Sequence, residues 1–103
     1  MNTEQFIEVV RAARVRQDDL LVRKGIDYTR RGNDRLSNFK QNAEALGLSP
    51  IQVWAVYASK HWDAVMSFIK SGHLESEAIE GRIDDLSNYL YLLEALLNEE
   101  PHV

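Results

Sequence analysis

Apolar side chains recur at helical spacing along four stretches of the chain, and glycine, asparagine or serine stands between them. The stretches predict helices over about residues 3–24, 35–46, 50–71 and 76–99. The third has the clearest boundaries. Ser49 caps, Pro50 suits the first turn, Gln52 can reach back to the cap, and Gly72 stops the helix. Ile51, Trp54, Ala55, Ala58, Trp62, Val65, Met66 and Ile69 form its stripe, widened by Val53, Tyr57, His61 and Phe68. A helix apolar on most sides needs neighbours on most sides. The pattern therefore predicts a central helix, with Trp54 and Trp62 sharing its core side.

The first helix starts at Asn2 or Thr3, buries Phe6, Val9, Val10, Ala13, Leu20 and Leu21, and ends at Gly25. Its arginines and acids read as a solvated charged face. The second places Leu36, Phe39, Ala43 and Leu46 inward and closes at Gly47, with Asn33 or Asp34 as its cap. The short connection after Gly72 sets the last helix antiparallel to the central one. Its seam reads as Ile79, Ile83, Leu86, Leu90, Leu93 and Leu97, with Glu77, Glu80, Asp84, Asn88, Glu94 and Asn98 toward solvent. The expected fold is all-α, a four-helix bundle-like single domain over residues 1–103. No internal repeat appears, and no heptad array long enough for a coiled coil.

Two residues of the last helix depart from that division. Arg82 and Asp85 project toward the flank shared by Tyr89, Leu92 and Leu96. A buried charge costs several kcal/mol unless paired. Three residues apart on a helix, the two can pair with each other, and Gly81 beside them suits the close approach of a backbone or ligand. Tyr91, Leu92 and Leu96 lie beyond the main seam. They are suited to covering a second copy of the chain in a homodimer, or to lying under the first helix.

Composition narrows the classes. With 103 residues, 45% of them hydrophobic, the chain can bury a core. A formal net charge of −4 argues against a coat for long nucleic acid, though a local basic pocket can still take one small nucleotide. There is no cysteine, hence no thiolate metal site. The opening MNTEQF lacks an apolar signal core and no run suffices for a membrane span, so a soluble, cytoplasmic protein is expected.

The candidate chemistry is ionic. Arg30, Arg31 and Arg35 form the densest positive cluster, and arginine's fork of donors suits phosphate. Loop arginines are equally common on plain surfaces. On the third helix Lys60 and Asp63 share a face beside His61, itself best read as a packed core histidine. On the fourth, Glu77, Glu80, Asp84 and Asp85 lie within about two turns, and facing carboxylates in bundles hold divalent metals. Glu80, Asp84 and Asp85 are the candidate metal ligands, although acids also favour the first turns of any helix. No glycine-rich phosphate loop, nucleophile elbow or zinc spacing occurs.

Lys24…Asp27-Tyr28, Leu36…Asn38-Phe39, Lys60 within an apolar helix and Asp85-Leu86-x-Asn88-Tyr89 together resemble nucleotide modification associated domain 1. Those small all-helical proteins and related phage-encoded domains are similar in turn to MazG nucleotide pyrophosphohydrolases. The likeness spans roughly residues 20–97. It implies a helical bundle, often dimeric, that handles a nucleotide with Mg2+, carboxylates holding the ion on the phosphates while water attacks phosphorus. By position it implies Asp85 as the acid of the last helix, Asn88 and Tyr89 as the following pair, Lys60 as the central cation and Asp27 with Tyr28 as the early pair. Glu77 and Glu80 match the family's first acidic pair. Arg82 stands where the second pair would need an acid, which favours nucleotide binding over hydrolysis. Lys60, Arg82, Arg30 and Arg31 are then the phosphate-facing cations. The competing expectation is a non-catalytic, phage-type accessory or inhibitor protein that acts by protein–protein contact.

Overall fold

The computed structural model describes residues 1–28, 34–73 and 78–99, with the backbone alone at 25–28. These residues form an all-α, bundle-like structure of α1 (Thr3–Tyr28), α2 (Ser37–Leu46), α3 (Pro50–Ser71) and α4 (Ile79–Glu99). No helix among them is long and apolar enough to cross a membrane.

The capping signals act as their chemistry dictates. The Asn2 side chain accepts from the Gln5 amide while Gln5 accepts from the Asn2 amide, both at 2.9 Å, closing the start of α1. Ser49 and Gln52 do the same for α3, at 3.1 and 2.8 Å, with Pro50 in the first turn. Gly47 and Gly72 end α2 and α3 in the left-handed conformation, φ 69° and 70°, where a Cβ would be strained. Asp34 acts two residues ahead of expectation. Its carboxylate accepts from the Leu36 amide, and α2 begins at Ser37 rather than 35.

Helix α3 packs on α2 and, antiparallel, on α4, while α1 packs on α4. The core lies among α2, α3 and α4: Leu36, Phe39, Ala43, Val53, Leu92 and Leu96, surrounded by Ile51, Trp54, Tyr57, Tyr89 and Ala95. Among the described side chains, none of α1 belongs to it. Trp54 fixes the α3–α4 register by donating its indole N–H to the Tyr89 carbonyl at 2.6 Å. Burying an indole requires such a partner.

Several expectations fail, for identifiable reasons. Helix α1 passes through Gly25 to Tyr28, since a helical glycine costs only ~1 kcal/mol. Its first turns project from the bundle, leaving Phe6, Ile7 and Val9 exposed. The radius of gyration is accordingly 15.5 Å and the longest axis 45 Å, against ~13 Å for a compact chain of this length. Trp62 does not join Trp54 in the core and is 53% exposed. On α4 the division is rotated: Ile83, Leu90 and Leu97 face outward, whereas Asp84, Asn88, Leu92 and Leu96 are buried. Of the residues suited to a second copy, Leu92 and Leu96 therefore lie inside and only Tyr91 is exposed. The polar pair tolerates burial because α1 supplies partners for it.

Candidate functional site

The second half of α1 lies across the start of α4, and charge meets charge along that crossing. Asp84 is 5% exposed. Its carboxylate accepts from Arg16 Nε at 2.8 Å, Arg16 Nη2 at 3.3 Å and Gln17 Nε2 at 3.2 Å. That bond to Asp84 raises the Arg16 pKa above its ordinary value. Asn88, one turn on, donates to the Gln17 carbonyl at 3.4 Å. Its Oδ1 is buried without a hydrogen-bond partner.

Asp85 is differently placed. Lys24 Nζ stands 3.6 Å from one of its oxygens and His61 Nδ1 3.7 Å from the other. Both separations exceed good hydrogen-bond geometry. His61 is buried, and its Nδ1 has no hydrogen-bond partner. Burial pushes the imidazole pKa below its ordinary value; Asp85 opposes that shift, while Lys24, Lys60 and Arg82 reinforce it. The ring lies 4.7 Å from that of Tyr89. A neutral imidazole is thus set among three cations and one carboxylate.

Two hollows flank this group. A groove of about 360 Å³ between α1 and α4 is lined by Arg16, Asp19, Leu20, Arg23 and Lys24 of α1 and by Gly81, Asp84 and Asp85 of α4. Gly81 forms part of its wall. A second hollow, about 430 Å³, is lined by Asn38, Val56, Tyr57, Lys60, His61 and Tyr89. Each is large enough for part of a small ligand.

The residues singled out from the sequence are divided between these places. Asp84 and Asp85 line the groove, Lys60 and Tyr89 the second hollow, and His61 stands between Asp85 and the latter. Arg82 is half-buried, its Nε inaccessible, and acts electrostatically on His61. Glu80 is exposed and near enough to raise the Arg16 pKa. Asn88 is an interior residue rather than a solvent-facing one. Asp27 and Tyr28 end α1, but their side chains, together with Arg30, Arg31 and Glu77, lie outside the described residues. Sequence reasoning passed over Arg16, Gln17 and Arg23 because nothing separates them from neighbouring surface charges. Tyr57 carried no signal beyond helical spacing, and Asn38 entered only through the resemblance.

Among the described residues no three acidic or imidazole side chains converge as a metal site. Asp84 already has its oxygens occupied by Arg16 and Gln17. Asp85 has no such short bond among the described residues. No family model matches the chain, and no curated protein or solved structure is similar enough to count as a relative.

Proposed function

We propose that this chain is a small nucleotide-handling protein, of the kind its resemblance to the MazG-like helical domains implies, and that it binds a (deoxy)nucleotide with Mg2+. The observation that carries the reading is Asp85, an acid largely removed from water and, among the described residues, held by no short hydrogen bond, on the wall of a groove with three cations and Asp19. Arg23 and Lys24 meet phosphate oxygens there, and Asp85 takes the ion. Lys60, with Tyr57 and Tyr89, offers a cation beside aromatic faces, suited to a base and its sugar phosphate. Arg82 contributes positive potential from within the α4 wall. Binding is favoured over turnover, because Asp84 is engaged by Arg16 and Arg82 stands where the second acidic pair would need an acid.

Thermal denaturation with a panel of nucleoside mono-, di- and triphosphates, with and without Mg2+, tests this. Ligand at ~100 times its Kd adds ~2.7 kcal/mol, a rise of several degrees in a domain of this size. Asp85→Asn should abolish the Mg2+-dependent part, and Lys24→Ala should weaken the whole. If no nucleotide raises the midpoint under either condition, the reading fails and the contact-protein alternative stands. Where binding occurs, pyrophosphate release distinguishes an enzyme from a binder.

A further inference from the structure

The hollow beside Lys60 has one wall whose polarity is fixed by the protein itself. Asn38 of α2 lines it, while Asn42, one turn further along the same helix, does not. The Asn42 amide Nδ2 donates to the Asn38 backbone carbonyl at 2.9 Å and to Asn38 Oδ1 at 3.1 Å. A backbone carbonyl can only accept, so the first bond decides which end of the Asn42 amide faces Asn38. The second bond then orients the Asn38 amide in turn. Its oxygen is engaged within α2, and the end left for the hollow is the NH2, which can only donate. Lys60 brings an ammonium to the same space, again a donor only. The Tyr57 and Tyr89 hydroxyls and the neutral His61 imidazole can donate or accept and so do not discriminate. Both tyrosine rings pack on buried Phe39, with centroids 6.1 and 6.2 Å from it.

We infer that this hollow selects nucleobases that carry a keto oxygen (uracil, thymine, hypoxanthine, guanine) over cytosine and adenine, which carry an amino group at the same ring position. The inference rests on the reading of the hollow as the base site of a bound nucleotide. The Asn38 NH2 donates to the keto oxygen, and Asn42 is the positioning residue that keeps it turned that way. An amino base sets donor against donor at this point. A site built to hydrogen-bond one group rejects the analogue that cannot complete the bond, because its own polar atoms are then left unpaired. An asparagine amide without such a tether turns over at little cost and accepts instead of donating. Here turning over would place the Asn38 NH2 against the Asn42 NH2 and break the 3.1 Å bond. The discrimination therefore depends on a residue that does not line the hollow at all.

Isothermal titration of the full chain with Mg2+ against two matched pairs, dUMP with dCMP and dIMP with dAMP, provides the test. Within each pair a keto group and its neighbouring ring N–H replace an amino group and a bare ring nitrogen. The keto member should bind ~10-fold tighter or more in both pairs. Asn38→Asp keeps the acceptor that Asn42 needs and puts a second acceptor where the NH2 stood, so dCMP and dAMP should become the tighter members. Any general loss from the added charge falls on both members of a pair and leaves their ratio unchanged. Asn42→Ala releases the Asn38 amide and should bring both ratios close to one, with far-UV circular dichroism still helical. Nucleotides that bind equally within each pair overturn this inference and leave the base-site reading standing. A keto preference that survives Asn38→Asp overturns it as well. If none of the four nucleotides binds, the base-site reading fails and this inference with it. The comparison of pairs on the unaltered chain decides the matter even where a variant does not fold.

Discussion

His61 shows most clearly how one side chain couples interior to function. Its imidazole is buried against Tyr89, so the neutral form is favoured in the fold, and Asp85 only partly offsets this. The sign follows from linkage. A histidine whose folded pKa lies below the unfolded value near 6.5 binds its proton more readily in the unfolded chain. Its contribution is complete above that pH and is lost as the pH falls through 6.5 toward the folded pKa. Stability from urea titrations should thus decline faster between pH 7.5 and 5.5 in the wild type than in His61→Gln, by at most ~1.4 kcal/mol per pH unit for one proton. Parallel curves would show that the imidazole is equally protonated in both states. The sequence indicated this burial, because His61 falls within the apolar arc of α3. It gave no sign that the same ring borders a hollow shared with Tyr57 and Lys60.

At the scale of elements, α1 and α4 meet through polar pairs, with Leu20 and Leu21 beside Leu92. Removing Arg16 leaves the Asp84 carboxylate buried with Gln17 alone, so Arg16→Ala should lower stability. Adding Asp84→Asn should restore part of that, since a neutral amide is cheaper to bury. A double-mutant cycle by chemical denaturation measures the coupling; strictly additive losses would mean that the pair contributes nothing together. Helix existence and most boundaries were legible from local chemistry: Ser49 with Gln52, Gly47, Gly72, and the apolar spacing. The facing of α4 was not legible. Periodicity identifies the most apolar stripe, but Asp84 and Asn88 turn inward because Arg16 and Gln17, almost seventy residues away in sequence, satisfy them. A partner so remote leaves no trace in the local pattern. The candidate site depends on that same contact, which explains why Asp85 was recognisable and Arg16 and Arg23 were not.

For the molecule as a whole, the distribution of contacts matters more than their number. The first turns of α1 stand clear of the bundle, with residues 2–9 all exposed. Deleting residues 1–12 should therefore change stability by less than ~0.5 kcal/mol, about 3 °C in the melting midpoint. A fall beyond ~10 °C would show that this segment is packed in solution. Among the described residues, the hydrophobic cluster is held by the remaining three helices and the residues leading into them. Because the Arg16 and Lys24 side chains that bind α1 to α4 are partly open to water, dissolved electrolyte weakens that part of the attachment while scarcely touching the apolar cluster. Concentrated salt would loosen one helix and spare the other three, and the cleft bordered by Asp85 would lose a wall before any indole left its seat.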